Sequence, residues 1–195
     1  MSNATDLQTA IGPDSEPDIC GWLTVDVIHD AGNWHETRAW PALEGARAVI
    51  VAALVALTEH PSLITHVPSD VCVALSDDAN VRRLNAAYRN KDKPTNVLSF
   101  PAGDDAQEPD APAVFLGDVV LALETVLREA AELGIPAQQH VQHLAVHGVL
   151  HLIGYDHETE EDAAVMEGLE TAILANLGLP DPYAYGQSRG MGTGI

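Results

Sequence analysis

His147-Gly-Val-Leu-His151-Leu-Ile-Gly154-Tyr-Asp-His157 is the stretch that decides both the local fold and the chemistry of this 195-residue chain. Two histidines four residues apart share one face of a helix, with about 6 Å of rise between them. Gly154 follows three residues later, where a glycine can adopt the left-handed conformation that ends a helix and turns the chain back. The stretch therefore predicts a helix that ends at Gly154 and a return that lets His157 face the same point as His147 and His151.

Three converging imidazoles predict a metal site. Two neutral imidazoles at this spacing can bind one zinc ion, and a third makes the pattern much more specific than a bare pair. Zinc with three protein ligands keeps a fourth position open for water, whose pKa it lowers toward about 7. A closed, purely structural site would need a fourth protein ligand, for which Asp156 and His143 are the candidates. We predict one catalytic divalent ion per chain, zinc, with His147 as both ligand and catalytic residue.

The same spacing leaves a peptidase open as an alternative. The ligands and the glycine follow the metzincin protease pattern H-E-x-x-H-x-x-G-x-x-H. Those proteases use the glutamate after the first histidine as general base, and Gly148 occupies that position here. A zinc peptidase would then need Glu158 or another carboxylate as its base. The motif by itself predicts a hydrolase.

The other elements predict a mixed α+β domain. Strands are expected at 22–28, 71–75, 95–100 and 115–123, an exposed loop at 103–112, and helices at 41–59, 77–88, 123–133, 136–153 and 160–177. Strands and helices alternate without the regularity of βαβ units, and no internal repeat is present. We expect one small mixed sheet packed with helices, with the metal site on a helix and the turn after it.

Length and composition predict a single domain. We expect a flexible leader at 1–18, one metal-dependent hydrolase domain at 19–179 and a flexible tail at 180–195. The longest apolar run, 48–57, is ten residues long, whereas a membrane span needs about 17–25. The N-terminus lacks the positive charge and apolar core of a secretory signal. These features predict a cytoplasmic protein with no membrane partner.

Charge is distributed unevenly along the chain. A net charge of −20 argues against broad binding of a polyanion. Five of the nine basic residues nevertheless lie within twelve positions: Arg82, Arg83, Arg89, Lys91 and Lys93. A charge cluster is usually a solvated helix face. Beside a metal site, however, local positive charge on an otherwise acidic protein suits a confined RNA cleft rather than wrapping of nucleic acid.

Three stretches together resemble the YbeY-type endoribonucleases in order and spacing. They are 84–101, LNAAYRNKDKPTNVLSFP; 116–118, LGD; and 143–157, HLAVHGVLHLIGYDH. The resemblance implies that His147, His151 and His157 are the metal ligands and that Arg89 is the basic catalytic residue of the active cleft. It covers most of residues 84–157, and nothing is carried over from the rest of the chain.

The resemblance also implies a function. It points to a metal-dependent, single-strand-specific endoribonuclease acting in ribosomal RNA maturation and ribosome quality control, with single-stranded RNA, ribosomal RNA and ribosomal subunits as partners and no DNA. The guanidinium of Arg89 suits phosphate oxygens, and Lys91 and Lys93 would help to hold the RNA backbone. A non-catalytic ribosome-assembly factor whose metal only stabilises the fold is a second open alternative.

Overall fold

The computed structural model describes residues 23–59, 69–103 and 114–184. The described strands are β1 (Leu23–His29), β2 (Ser69–Ser76), β3 (Val97–Pro101) and β4 (Val114–Ala122). The described helices are α1 (Trp34–Thr37), α2 (Ala42–Glu59), α3 (Asp78–Arg89), α4 (Leu123–Leu133), α5 (Ala137–Leu152) and α6 (Glu160–Asn176). The predicted α+β class with one small mixed sheet is confirmed, and α1 is an addition to it. The leader and most of the tail lie outside the described residues, so the predicted domain boundaries stay predictions.

The four strands form one sheet in the order β1-β2-β4-β3. β1, β2 and β4 are parallel, whereas β3 runs antiparallel to β4 at the edge. Successive side chains of a strand point to opposite faces, so alternate residues such as Val71, Val73 and Leu75 of β2 share one face and are fully buried. The sheet thus presents one strongly apolar face, with β3 as the edge strand beside it.

Helices α2 and α5 cover this apolar face. Val119 and Leu121 of β4 belong to the same buried cluster as Val146 and Val149 of α5. The opposite face carries a smaller cluster in which Val81 of α3 packs with residues of β2, β3 and β4. Helix α5, which carries the histidine motif, is therefore held between the sheet on one side and other helices on the other.

Capping side chains fix where the helices begin. The Asp77 carboxylate accepts a hydrogen bond from the Asn80 amide at 2.8 Å at the start of α3, and Thr159 accepts one from the Asp162 amide at the start of α6. Aspartate and threonine are among the residues preferred at helix N-caps. Within the described ranges, no helix has the length and apolar content needed to cross a membrane.

Candidate metal centre

The three predicted ligands come together at the end of α5. Gly154 has φ +99°, and the amides of Gly154 and Tyr155 donate to the carbonyls of His151 and Leu150, the paired bonds of a Schellman motif. The chain reverses there and brings His157 back over the helix. One ligand nitrogen from each of His147, His151 and His157 lies within 4.8 Å of the others. The structure thus brings the three histidines together, and their role as metal ligands stays a prediction.

The protonation of two of these rings follows from their partners. His147 Nδ1 lies 2.8 Å from a carboxylate oxygen of Glu170, and His151 Nδ1 lies 2.9 Å from the Tyr155 carbonyl oxygen. Both partners are acceptors, so each Nδ1 carries the proton and each Nε2 of a neutral ring is left with a lone pair. The two Nε2 atoms nevertheless face each other at 3.1 Å. At this distance the two nitrogens can share one cation, either a proton or a metal ion.

The donor set and its spacing fit zinc. Two nitrogens bound at 2.0–2.1 Å in tetrahedral geometry lie about 3.3 Å apart, close to the 3.1 Å between the Nε2 atoms of His147 and His151. Burial, together with the neighbouring His147 and His157, lowers the pKa of His151, which favours the neutral ring that binds metals. His147 and His151 are half-buried and His157 is exposed, so the site opens toward solvent on the side of His157.

Neither candidate for a fourth protein ligand joins the group. His143 Nε2 is bound to Glu170 at 2.7 Å, and the Asp156 carboxylate accepts from the His157 amide at 2.7 Å. Among the residues that the structure describes, the potential metal-binding group at this site contains the three histidines alone. Three protein ligands leave room for water or substrate, which is the arrangement of catalytic rather than structural zinc sites.

Gly148 lies where helix and sheet are in closest contact. A Cβ at this position would lie 2.7 Å from one Val119 methyl carbon and 3.1 Å from the Ser99 hydroxyl. A glutamate, the peptidase base at this position, would therefore have to displace β4 or the helix. Glu158, the other carboxylate considered, is exposed in the turn before α6. The packing thus argues against the peptidase alternative.

Arg89 is connected to helix α5 through Ser99. Its guanidinium donates to the Ser99 carbonyl at 3.4 Å, and the Ser99 hydroxyl donates to the Gly148 carbonyl at 3.0 Å. Gly148 follows His147 directly. Arg89 is exposed at the end of α3, and among the ion pairs of the described residues it has no carboxylate partner, whereas Arg82 is paired with Asp92 at 2.6 Å. Within the described ranges, no ion pair thus neutralises its charge.

Lys91 and Lys93 lie in the turn that follows α3. The side-chain amide of Asn85 donates to the Lys93 carbonyl at 2.7 Å, and the Lys91 amide donates to the Asn85 carbonyl at 3.1 Å. Asn85 is buried, so it anchors the turn to the body of the protein. The backbone is fixed while both lysine side chains are exposed to solvent. This is a suitable arrangement for contacts to a flexible polyanion.

Comparison with known proteins agrees with the three motifs. The family model described as Endoribonuclease YbeY matches residues 37–178. The chain is 55% identical to a Rhodospirillum rubrum protein named Endoribonuclease YbeY, over 74% of this chain and 76% of that one. It is 50% identical to a Rhodopseudomonas palustris protein of the same name, over 79% and 80% respectively. The chain belongs to the YbeY family. An endoribonuclease cleaves phosphodiester bonds within RNA, so RNA is the substrate that the family's name implies.

A structural similarity accompanies the YbeY sequence match. The solution structure of TM1509 from Thermotoga maritima is similar over 82% of this chain and 98% of its own, with 21% identity and a TM-score of 0.47. The family assignment rests on the sequence.

One YbeY motif has a structural role. Gly117, in the Leu116–Asp118 stretch, has φ +134°, and a Cβ there would collide with the Phe100 carbonyl oxygen. The register of β2 against β4 shifts at the same place, with Val71 opposite Gly117. A glycine is required because β3 and β4 approach so closely. That approach sets the position of Ser99, and with it the carbonyl that Arg89 contacts.

The sequence analysis of the YbeY motifs missed Glu170, which contacts a predicted metal ligand, and Tyr183, which contacts Glu170. Glu170 contacts both His143 and His147, and the Tyr183 hydroxyl donates to its carboxylate at 2.5 Å. The signal that could have revealed Glu170 is its place on α6. It falls in helical register with Met166 and Ile173 on the buried face, where an apolar residue is the ordinary choice.

Proposed function

We propose that this chain is a metal-dependent, single-strand-specific endoribonuclease that acts in ribosomal RNA maturation and ribosome quality control. It would hold one zinc ion through His147, His151 and His157, and act in the cytoplasm on ribosomal RNA within ribosomal subunits, with no DNA substrate. The observation that carries the proposal is the pair of facing Nε2 atoms of His147 and His151, 3.1 Å apart, in a chain of an endoribonuclease family. When bound, the ion would supply a Lewis acid and a water of lowered pKa.

Arg89 is proposed as the residue that neutralises charge at the scissile phosphate. One of its donors is occupied by the Ser99 carbonyl, which orients the guanidinium and leaves its other N–H groups for phosphate oxygens. Preorganised donors of this kind stabilise charge that develops during phosphodiester cleavage. Because the Ser99 hydroxyl also donates to the backbone beside His147, Ser99 contacts both the Arg89 guanidinium and the helix that carries the histidines.

Lys91 and Lys93 are proposed to hold the RNA backbone on either side of the cleaved bond. Both are exposed on an anchored turn that follows Arg89 directly. The net charge of −20 confines phosphate binding to this neighbourhood, because the remaining surface repels a polyanion. A short basic segment beside an acidic body would admit a local single strand more readily than a long duplex.

Cleavage assays on matched substrates test the proposal. We would compare a single-stranded RNA, the same RNA annealed to its complement, and DNA of the same sequence, using wild type, His151→Ala, Arg89→Ala and Arg83→Ala. Arg83 is the matched control because it is an exposed arginine on the same helix. Metal content is measured on the same samples. Wild type should contain about one metal ion per chain and cleave only the single-stranded RNA.

The variants should separate the two parts of the site. His151→Ala should lose both metal and cleavage. Arg89→Ala should keep its metal and cleave about 10²–10³-fold more slowly, the usual cost of removing one charge-stabilising donor. Arg83→Ala should resemble wild type. Equal rates for Arg89→Ala and Arg83→Ala would remove Arg89 from the mechanism, and a metal-loaded wild type that cleaves no RNA would refute the endoribonuclease proposal.

The cellular role needs a separate test. Cells without this protein should accumulate incompletely processed ribosomal RNA, and wild type supplied in trans should restore processing. Arg89→Ala should fail to restore it. Full rescue by Arg89→Ala would instead support the non-catalytic assembly factor. Product ends then identify the nucleophile, since a 2′,3′-cyclic phosphate indicates attack by the RNA 2′-hydroxyl and a 3′-hydroxyl indicates water.

A further inference from the structure

The most deeply buried carboxylate next to the metal ligands is Glu170. It lies in the middle of α6 and has no exposed surface. Both of its oxygens are engaged: Oε1 with His147 Nδ1 at 2.8 Å, and Oε2 with His143 Nε2 at 2.7 Å and the Tyr183 hydroxyl at 2.5 Å. Within the described ranges, no lysine or arginine forms an ion pair with it. A buried carboxylate without a fixed cation is costly unless something else requires it.

The protonation states around Glu170 follow from these contacts. His147 Nδ1, His143 Nε2 and the Tyr183 hydroxyl each lie within hydrogen-bond distance of a carboxylate oxygen of Glu170. Burial and the adjacent carboxylate raise the pKa of Tyr183, so its hydroxyl remains a donor. Glu170 therefore accepts three hydrogen bonds, one of which comes from a proposed metal ligand.

We propose that Glu170 is a positioning residue of the metal centre: it holds His147 in the tautomer and orientation that present Nε2 to the ion, and His143 and Tyr183 hold Glu170 in place. An ionised acceptor on Nδ1 keeps the proton on that nitrogen and makes Nε2 a stronger donor to a metal. Tyr183 extends this support to the segment after α6. The proposal rests on the metal site of the proposed function but not on RNA cleavage.

A purely structural role explains the arrangement less well. Buried ionic networks add little net stability, and apolar residues of similar volume often serve the fold as well or better. On α6 the neighbouring core positions Met166, Ile173 and Leu174 are apolar, so a fourth apolar residue would pack there. The carboxylate instead faces Nδ1 of His147, a proposed metal ligand. His151, by contrast, uses the Tyr155 carbonyl for the same purpose.

Metal affinity of three variants tests the proposal. Metal-free wild type, Glu170→Gln, Tyr183→Phe and the control Glu161→Gln would be titrated with zinc against a chromophoric chelator, and the visible spectrum of each cobalt(II) form recorded. Glutamine keeps the size of Glu170 but not its charge, and Glu161 is an exposed glutamate of the same helix. Circular dichroism and thermal unfolding of the metal-free proteins verify the fold.

Glu170→Gln should bind zinc about 10–100-fold more weakly, the usual effect of losing the acceptor behind a metal-bound histidine, and should alter the cobalt spectrum. Tyr183→Phe should lose less affinity, and Glu161→Gln should match wild type. A folded Glu170→Gln with wild-type affinity and an unchanged spectrum would overturn the proposal. If Glu170→Gln does not fold, Tyr183→Phe decides by the same two readouts. A wild type that binds metal but cleaves no RNA would refute the proposed function and leave the role of Glu170 intact.

Discussion

Replacing Gly148 by alanine should destabilise the protein, although alanine favours helices. The added Cβ would lie 2.7 Å and 3.1 Å from the two methyl carbons of Val119, which is fully buried in β4. Overpacking of this kind costs about 1–3 kcal/mol, whereas glycine to alanine within a helix contributes about 1 kcal/mol of stability. Gly168 in α6 is the matched control, because a Cβ there meets no atom within 4 Å.

The two variants together isolate the overpacking cost. Gly168→Ala should raise the free energy of unfolding by about 1 kcal/mol, and Gly148→Ala should lie below Gly168→Ala by about 1–3 kcal/mol. Urea unfolding of the metal-free proteins measures the difference directly, and each kcal/mol corresponds to about 2–4 °C in melting temperature. A Gly148→Ala protein as stable as Gly168→Ala would show that α5 does not pack on β4 as closely as described, and the case against a glutamate at this position would fall with it.

Two further predictions concern pH and metal. Burial raises the pKa of Glu129, but hydrogen bonds from His140 and Asn96 outweigh burial, so the pKa is lower in the folded protein than in the unfolded chain. Glu129 therefore stabilises the fold at pH values above its unfolded pKa, and this stabilisation is lost as the pH falls through its folded pKa. Glu129→Gln should therefore have a lower free energy of unfolding in urea than wild type at pH 7, and this difference should shrink below about pH 4. A difference that does not change with pH would contradict this. Zinc at 100 times its dissociation constant should stabilise wild type by about 3 kcal/mol in thermal unfolding and leave His151→Ala unchanged; equal shifts would place the zinc elsewhere.

The part of the site that sequence could predict is the part set by local geometry. His147 and His151 share a helix face because of their spacing. Gly154 ends that helix because glycine adopts a positive φ at low cost. The position of His157 near the other two histidines follows from the turn at Gly154. Each of these inferences spans about ten residues, and helical repeat and turn chemistry decide it without knowledge of the rest of the fold.

The remainder depends on contacts between distant segments. The bond from Ser99 to Gly148 joins residues 49 positions apart, and no local pattern encodes it. The helix α1 was missed because four residues are too few for a helical period; it is held by burial of Trp34, whose indole N–H donates to the Ser76 carbonyl at 2.9 Å. Glu170 lay within a predicted helix, but its partners on α5 become visible only when the two helices pack.

These long-range contacts explain how the two halves of the proposed site keep a fixed geometry. The proposed metal ligands belong to α5 and its turn, whereas Arg89 belongs to α3, and the two helices pack on opposite faces of the sheet. Edge strand β3 connects them, because the carbonyl of Ser99 accepts from Arg89 while its hydroxyl donates to Gly148. Reaction rates are sensitive to displacements of about 1 Å. The tight packing at Gly148 and Gly117 therefore serves the proposed chemistry, since it sets the distance between the proposed phosphate-binding cation and the histidines.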